Sequence, residues 1–179
     1  TATPTPTVSN TPTNYDCFIS GGTSPLYKYT DVAMSCDSTV SSTTDGKFQL
    51  VTVFSGFTFR STNSGDTWDR VNSVPKGIWR AASINGTGQY QYVVGGFPSG
   101  GSILGPGGVF RSSDSGTTFQ RINSFPNLPY TDVAVSENGQ YVTVISQSFE
   151  VVEYTPGGFS YYVTSGGTIY RSTNYGVTF

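Results

Sequence analysis

The chain is 179 residues long, enough to bury a substantial core, and 11% of it is charged against roughly 25% in an ordinary globular protein. Its formal net charge is −2 and its nine Lys and Arg residues form no run, which argues against nucleic acid or an anionic membrane as a partner, because both need a basic footprint. No apolar stretch approaches the ~20 residues of a membrane helix, and 15% aromatics with 22 glycines favour strands joined by tight turns.

Residues 1–13, TATPTPTVSNTPT, hold six Thr and three Pro and almost nothing to bury, so they read as an extended, solvated linker or stalk whose hydroxyls are candidates for O-glycans. The chain begins at Thr1 without a Met or a visible secretory signal, and we read it as a mature or trimmed product. Residues 14–28, opening NYDCFISGG, form a short strand segment able to complete a blade elsewhere. Cys17 and Cys36 are the only cysteines. The surrounding composition looks extracellular, which makes them a disulfide candidate; two buried thiols are the alternative, and a metal site would have no histidine to draw on.

From Tyr29 three similar units follow: 29–77, 78–128 and 129–179. They open YTDVAMS, IWRAASIN and YTDVAVS, continue with the alternating runs FQLVTVFS, QYQYVVGG and QYVTVISQ, and then reach short aromatic strands ending FRS, FRS and YRS. Each unit offers about four short strands separated by Gly- and Asx-rich turns, with no sustained helical period. Extra residues interrupt the units at 36–46, 99–108 and 148–162, and such insertions on a repeated scaffold are where function tends to sit.

One nine-residue turn recurs at residues 60–68, 111–119 and 171–179, as RSTNSGDTW, RSSDSGTTF and RSTNYGVTF. Its acid or amide (Asn63, Asp114, Asn174) can accept backbone N–H bonds, and its glycine (Gly65, Gly116, Gly176) suits positive φ. Its aromatic (Trp68, Phe119, Phe179) offers apolar surface to hold the turn on a sheet. The frame S-x-D-x-G-x-T-W resembles the Asp box, or BNR repeat, of sialidases, sortilin-type receptors, xyloglucan-cleaving glycosidases and a photosystem assembly factor. The resemblance runs from Tyr29 to Phe179. It implies an all-β fold of propeller blades, each of four antiparallel strands, with the box between the third and fourth strands. It makes Ser61, Asn63, Gly65, Thr67, Trp68, Ser112, Asp114, Gly116, Thr118, Phe119, Ser172, Asn174, Gly176, Thr178 and Phe179 scaffold residues. Two of the three boxes carry Asn, which keeps an acceptor oxygen but loses the charge that a catalytic acid or a metal ligand requires.

An enzymatic reading finds little to build on. A sialidase site needs three clustered arginines, but Arg60, Arg111 and Arg171 share one repeated slot and Arg70 and Arg121 another, leaving Arg80; the arginine-bearing FRIP-type sequence is absent. A glycosidase needs two carboxyls facing one bond, roughly 5–10 Å apart. Asp31 and Asp132, at the entries of equivalent strands, are the weak catalytic candidates, with a strand-end pairing role as the alternative; Glu150 and Glu153 read as solvated loop acids. The absence of histidine removes the commonest general base. No phosphate-binding loop or metal-ligand spacing appears, so no cofactor or metal is expected. Asn85 opens the only N-x-[ST] sequon in an expected surface turn and is a glycosylation candidate.

A propeller needs at least four blades, and three boxes leave the last blade incomplete. We therefore expect either further blades of a parent chain or self-association, two copies giving a six-bladed ring. The expected role is non-catalytic: an extracellular, cell-surface or virion-surface module binding glycans or proteins, or building a surface assembly. Phe97, Phe149, Tyr154 and Phe159 on the insertions are its contact candidates. The alternative is a glycoside hydrolase of Asp-box type with acids partly outside this segment; an assembly factor of the photosystem kind would be expected to need a basic patch.

Overall fold

The computed structural model describes residues 29–36, 46–96, 108–126, 128–147, 150–151, 162–163 and 167–179. Phe97, Phe149, Tyr154, Phe159, Glu153 and Cys17 lie outside them, as do segments 1–13 and 14–28; Cys36 is exposed just after the first strand.

All regular structure among the described residues is β. The first sheet runs in chain order through β1 (Tyr29–Met34), β2 (Gln49–Val53), β3 (Phe59–Ser61) and β4 (Asp69–Arg70). The second repeats the meander with β5 (Trp79–Ile84), β6 (Gln91–Gly95), β7 (Gly108–Ser112) and β8 (Gln120–Arg121). The third pairs β9 (Tyr130–Val135) with β10 (Val142–Gln147), while β11 (Glu150–Val151) and β12 (Tyr162–Val163) form a separate two-stranded ribbon and β13 (Gly167–Ser172) returns alongside β10. Every pairing is antiparallel. These are blades of a β-propeller.

The register repeats in detail. A bulge follows the first residue of each leading strand, between Tyr29 and Asp31, between Trp79 and Ala81, and opposite Ile145 and Ser146 in the third sheet. Pairing then sets Ser61 against Gln49, Ser112 against Gln91 and Ser172 against Val142. Tight turns join the first two strands of the second and third sheets, and in all three sheets a side chain bridges the two strand ends: Ser35 Oγ accepts from Phe48 N (3.2 Å), Asn85 Oδ1 from Tyr90 N (2.7 Å) and Ser136 Oγ from Tyr141 N (3.0 Å).

Asn85 therefore does not sit on an open surface turn. It is 2% exposed, and its amide nitrogen donates to Thr87 Oγ1 (3.1 Å) and to the Glu137 carbonyl (3.2 Å) of the next sheet. A glycan on that nitrogen would have to displace both bonds and enter filled space. The expected surface position of Asn85 is corrected on this ground: sequence patterning cannot show that a neighbouring turn covers this one.

Two apolar layers hold the sheets together. Between the first and second lie Leu50, Val71, Val74, Trp79, Ala82, Ile84, Val93, Phe110 and Phe119; between the second and third lie Ala81, Tyr92, Val94, Val109, Phe125, Tyr130, Val133, Val142 and Val144. The middle sheet has neighbours on both faces, so β6 is buried along its whole length. Its period-2 alternation survives as a choice of neighbour, with Val93 directed to the first sheet and Tyr92 and Val94 to the third. Trp79 and Tyr130 occupy the same slot and solve the same polar problem. Trp79 Nε1 donates to Pro75 O (3.0 Å) and Tyr130 Oη to Pro126 O (2.5 Å), each ring standing edge-on to a phenylalanine, Phe110 and Phe125.

Candidate functional site

The repeated turn has one geometry in three places. Ser61, Ser112 and Ser172 hydroxyls donate to Asn63, Asp114 and Asn174 Oδ1 at 2.8–2.9 Å and accept the Gly65, Gly116 and Gly176 N–H at 2.9–3.0 Å. The same Oδ1 accepts the N–H of Thr67, Thr118 or Thr178 at 2.9–3.0 Å. Each glycine has positive φ (91°, 77° and 70°), and so does the residue before it, Ser64 (60°), Ser115 (57°) and Tyr175 (60°). Two successive positive φ values closed by an i to i+3 bond make a turn of the I′ kind. Sequence reading located the glycine but missed its neighbour, which carries no glycine signal. Asn63, Asp114 and Asn174 thus lie in three separate bends, each occupied by bonds within its own turn.

Only the polarity of one bond separates the acid from the amide. Thr118 Oγ1 donates to Asp114 Oδ2 (2.6 Å), whereas Asn63 and Asn174 Nδ2 donate to the Thr67 and Thr178 hydroxyls (2.9 Å each). Partial desolvation pushes the Asp114 carboxyl upward, but hydrogen bonds from Thr118, Ser112 and its own backbone outweigh it and hold it below the ordinary aspartate range. A carboxyl lowered on folding adds stability above its unfolded pKa, and that stability is lost as pH falls through the folded value. Asp114→Asn should accordingly leave the urea midpoint at pH 7 nearly unchanged while flattening its decline below about pH 4. An unchanged acid decline in the variant would show that this carboxyl is not linked to folding.

One concave feature that gathers charged groups is a groove of about 550 Å³ between the first and second sheets, lined by residues including Arg60, Asp69, Arg70, Asn72, Thr117 and Thr118. The slot before the repeated serine supplies Arg60, β4 supplies Asp69 and Arg70, and the second turn supplies the threonines. Arg70 lies over the Phe57 ring at 4.0 Å and its Nε donates to Asn72 Oδ1 (2.8 Å); Arg60 Nη1 donates to Thr117 Oγ1 (3.2 Å). Two guanidiniums, an amide and hydroxyls suit a polar or anionic ligand. The lining offers one carboxylate, Asp69, where glycoside hydrolysis uses two. Among the described residues no cluster of three or more His, Cys, Asp or Glu could hold a metal ion.

The two catalytic candidates named from sequence, Asp31 and Asp132, are not brought together. Asp31 is half-buried in the joint between the first two sheets, where Oδ2 accepts Ala82 N–H at 2.8 Å. Asp132 is exposed on the outward face of the third sheet and accepts the N–H of its own neighbour Val133 at 2.8 Å. Two tyrosines are perturbed. Burial raises Tyr92 despite the opposing hydrogen bond and charge of Arg111, and burial, with Tyr170 adding to it, raises Tyr130. Their phenols stay neutral and serve as donors, Tyr92 Oη to Tyr175 O at 2.9 Å. The groove was only partly visible in the sequence. The arginine slots repeat plainly, but the residues they face belong to the next unit.

No protein-family model and no curated protein matches the sequence. Solved structures resemble the fold. YCF48 bound to a D1 peptide is 15% identical over 84% of this chain and 38% of its own, with a TM-score of 0.53. A GH74 enzyme from Niastella koreensis is 21% identical over 84% of this chain and 22% of its own, with a TM-score of 0.56. The GH74 xyloglucanase from Xanthomonas campestris is 18% identical over 84% and 21%, with a TM-score of 0.52. At such identities the likeness establishes a propeller fold and nothing finer. The chain spans well under half of YCF48 and about a fifth of each GH74 enzyme.

Proposed function

We propose that these sheets are Asp-box blades of a non-catalytic propeller module, working outside the cell or on a cell or virion surface, where it binds glycans or proteins or builds a surface assembly. The observation that carries this reading is the groove at Arg60 and Arg70, rich in donors and holding a single lining carboxylate. Scaffold duty for the repeated turn is supported by its closed bonding, which leaves Asn63, Asp114 and Asn174 no free chemistry. A protein ligand is supported by analogy with YCF48, whose structure holds a D1 peptide. The likeness to GH74 enzymes keeps glycoside hydrolysis as the second reading, with its carboxylates supplied partly from outside this segment.

Glycan-array binding read beside a reducing-end release assay on xyloglucan separates the two. Retention without sugar release, weakened at least tenfold in Arg70→Ala, is the expected result; Arg70 is exposed, so the variant should fold. Hydrolysis lost in Asp31→Asn or Asp132→Asn would overturn the binding reading. Retention unchanged in Arg70→Ala would move binding away from the groove, to the insertions carrying Phe97, Phe149, Tyr154 and Phe159.

A further inference from the structure

The two joints within the molecule follow one rule. Across the first, Arg60 Nη1 reaches the Ser115 carbonyl (3.5 Å) and Thr117 Oγ1 (3.2 Å), Thr30 Oγ1 donates to Trp79 O (2.8 Å), and Asp31 accepts from Ala82 N (2.8 Å). Across the second, Arg111 Nε donates to the Tyr175 carbonyl at 2.6 Å, the Tyr90 and Tyr175 rings stack at 5.1 Å, and Ser83 Oγ accepts from Val135 N at 3.1 Å. Ser115 and Tyr175 are the positive-φ residues of their turns, and Arg60 and Arg111 precede the turn serine of the sheet before. The first two sheets thus each send an arginine to the carbonyl that the following turn displays, and a polar side chain of the leading strand to a backbone N–H of the next leading strand: Asp31 from the first and, with Ala81 in the aspartate slot, Ser83 from the second.

The third sheet carries the sending half. Arg171 is exposed and lies over Tyr141 at 5.6 Å, as Arg111 lies over Tyr90 at 5.3 Å while it donates across the joint. Asp132 holds the slot of Asp31. Asp132, Ile145 and Ile169 are directly opposed across β9, β10 and β13 and share a face, with Thr143 and Arg171 in the next row. That face is open: Ile145 is 38% and Ile169 73% exposed. The first sheet carries the receiving half. Ser64 is exposed with a φ of 60°, Val32 stands where Ala82 stands in β5, and Tyr29 and Val32 are 46% and 43% exposed.

We infer that the outward face of the third sheet docks the first sheet of a second copy of this chain, Arg171 donating to the Ser64 carbonyl and Asp132 accepting the Val32 N–H of that copy. The occupant follows from continuity with the internal joints, because one chain owns both halves and already makes the arginine contact twice and the aspartate contact once. Such a contact is head-to-tail, closing into a ring when the rotation allows and growing into a filament when it does not. It stands independently of the binding role proposed above.

Sedimentation velocity on the 179-residue chain across a concentration series tests it, with Arg171→Ala and Ile169→Asp as variants and Arg121→Ala, exposed on β8, as the control. Ile169 is largely exposed, so its replacement should fold, and circular dichroism checks this. Concentration-dependent dimers or longer species, with each variant raising the dissociation constant at least tenfold and the control unchanged, are expected. A monomer at every concentration overturns the proposal. Association that both variants leave intact overturns it too, by placing the contact elsewhere.

Discussion

Trp79→Ala should lower the unfolding free energy by about 3–5 kcal/mol, the range for removing a large aromatic from a core. Trp79 is fully buried at the start of β5 and belongs to the layer joining the first two sheets. The alanine would leave a cavity against Phe110 and remove the indole donor from the Pro75 carbonyl, which belongs to an exposed residue and can turn to water instead. Urea denaturation followed by far-UV circular dichroism measures the change. Trp68→Ala is the informative comparison, since Trp68 is half-buried and should lose clearly less. A loss below about 1 kcal/mol at Trp79 would mean that this layer does not bear the stability of the first joint.

Gly116→Ala is the second large effect, at about 2–5 kcal/mol from two sources that add. A non-glycine residue at a φ of 77° is strained by about 1–2 kcal/mol. A Cβ there would also come within 2.5 Å of Gln91 Oε1, and Gln91 is buried with its amide nitrogen bonded to Gly88 O at 3.0 Å. Displacing it overpacks the site by about 1–3 kcal/mol. Gly46 separates the two sources: its φ is 67°, yet a Cβ would meet nothing within 4 Å. Gly46→Ala should therefore show the backbone strain alone. Equal losses at the two positions would show that contact with Gln91 contributes nothing.

The legible part of this protein is what lies within one unit. Alternation in QYQYVVGG and QYVTVISQ marks strands because successive side chains point to opposite faces, and R-S-x-[DN]-x-G marks a turn because its bonds close within a few residues. The same locality explains the misses. Ser64, Ser115 and Tyr175 adopt positive φ because the turn around them demands it, and none is a residue type that advertises the conformation. Asn85 has the sequence of an exposed sequon and is buried because the Glu137 turn of the next sheet lies against it. The groove at Arg60 and Arg70 needs the second sheet to supply its threonines.

The pentapeptide YTDVA shows where the boundary runs. It occurs at 29–33 and at 130–134, with identical residues and the same bulge, so sequence alone determined the strand, its register and the side on which the aspartate points. The tertiary structure decided what that aspartate does. Asp31 meets the Ala82 N–H because a second sheet packs against the first, whereas Asp132 points from the outward face of the third into the open. Local bonding dictates a residue's conformation. Its partner is set by the order in which sheets stack, and that order is a property of the array, which no short stretch of chain encodes.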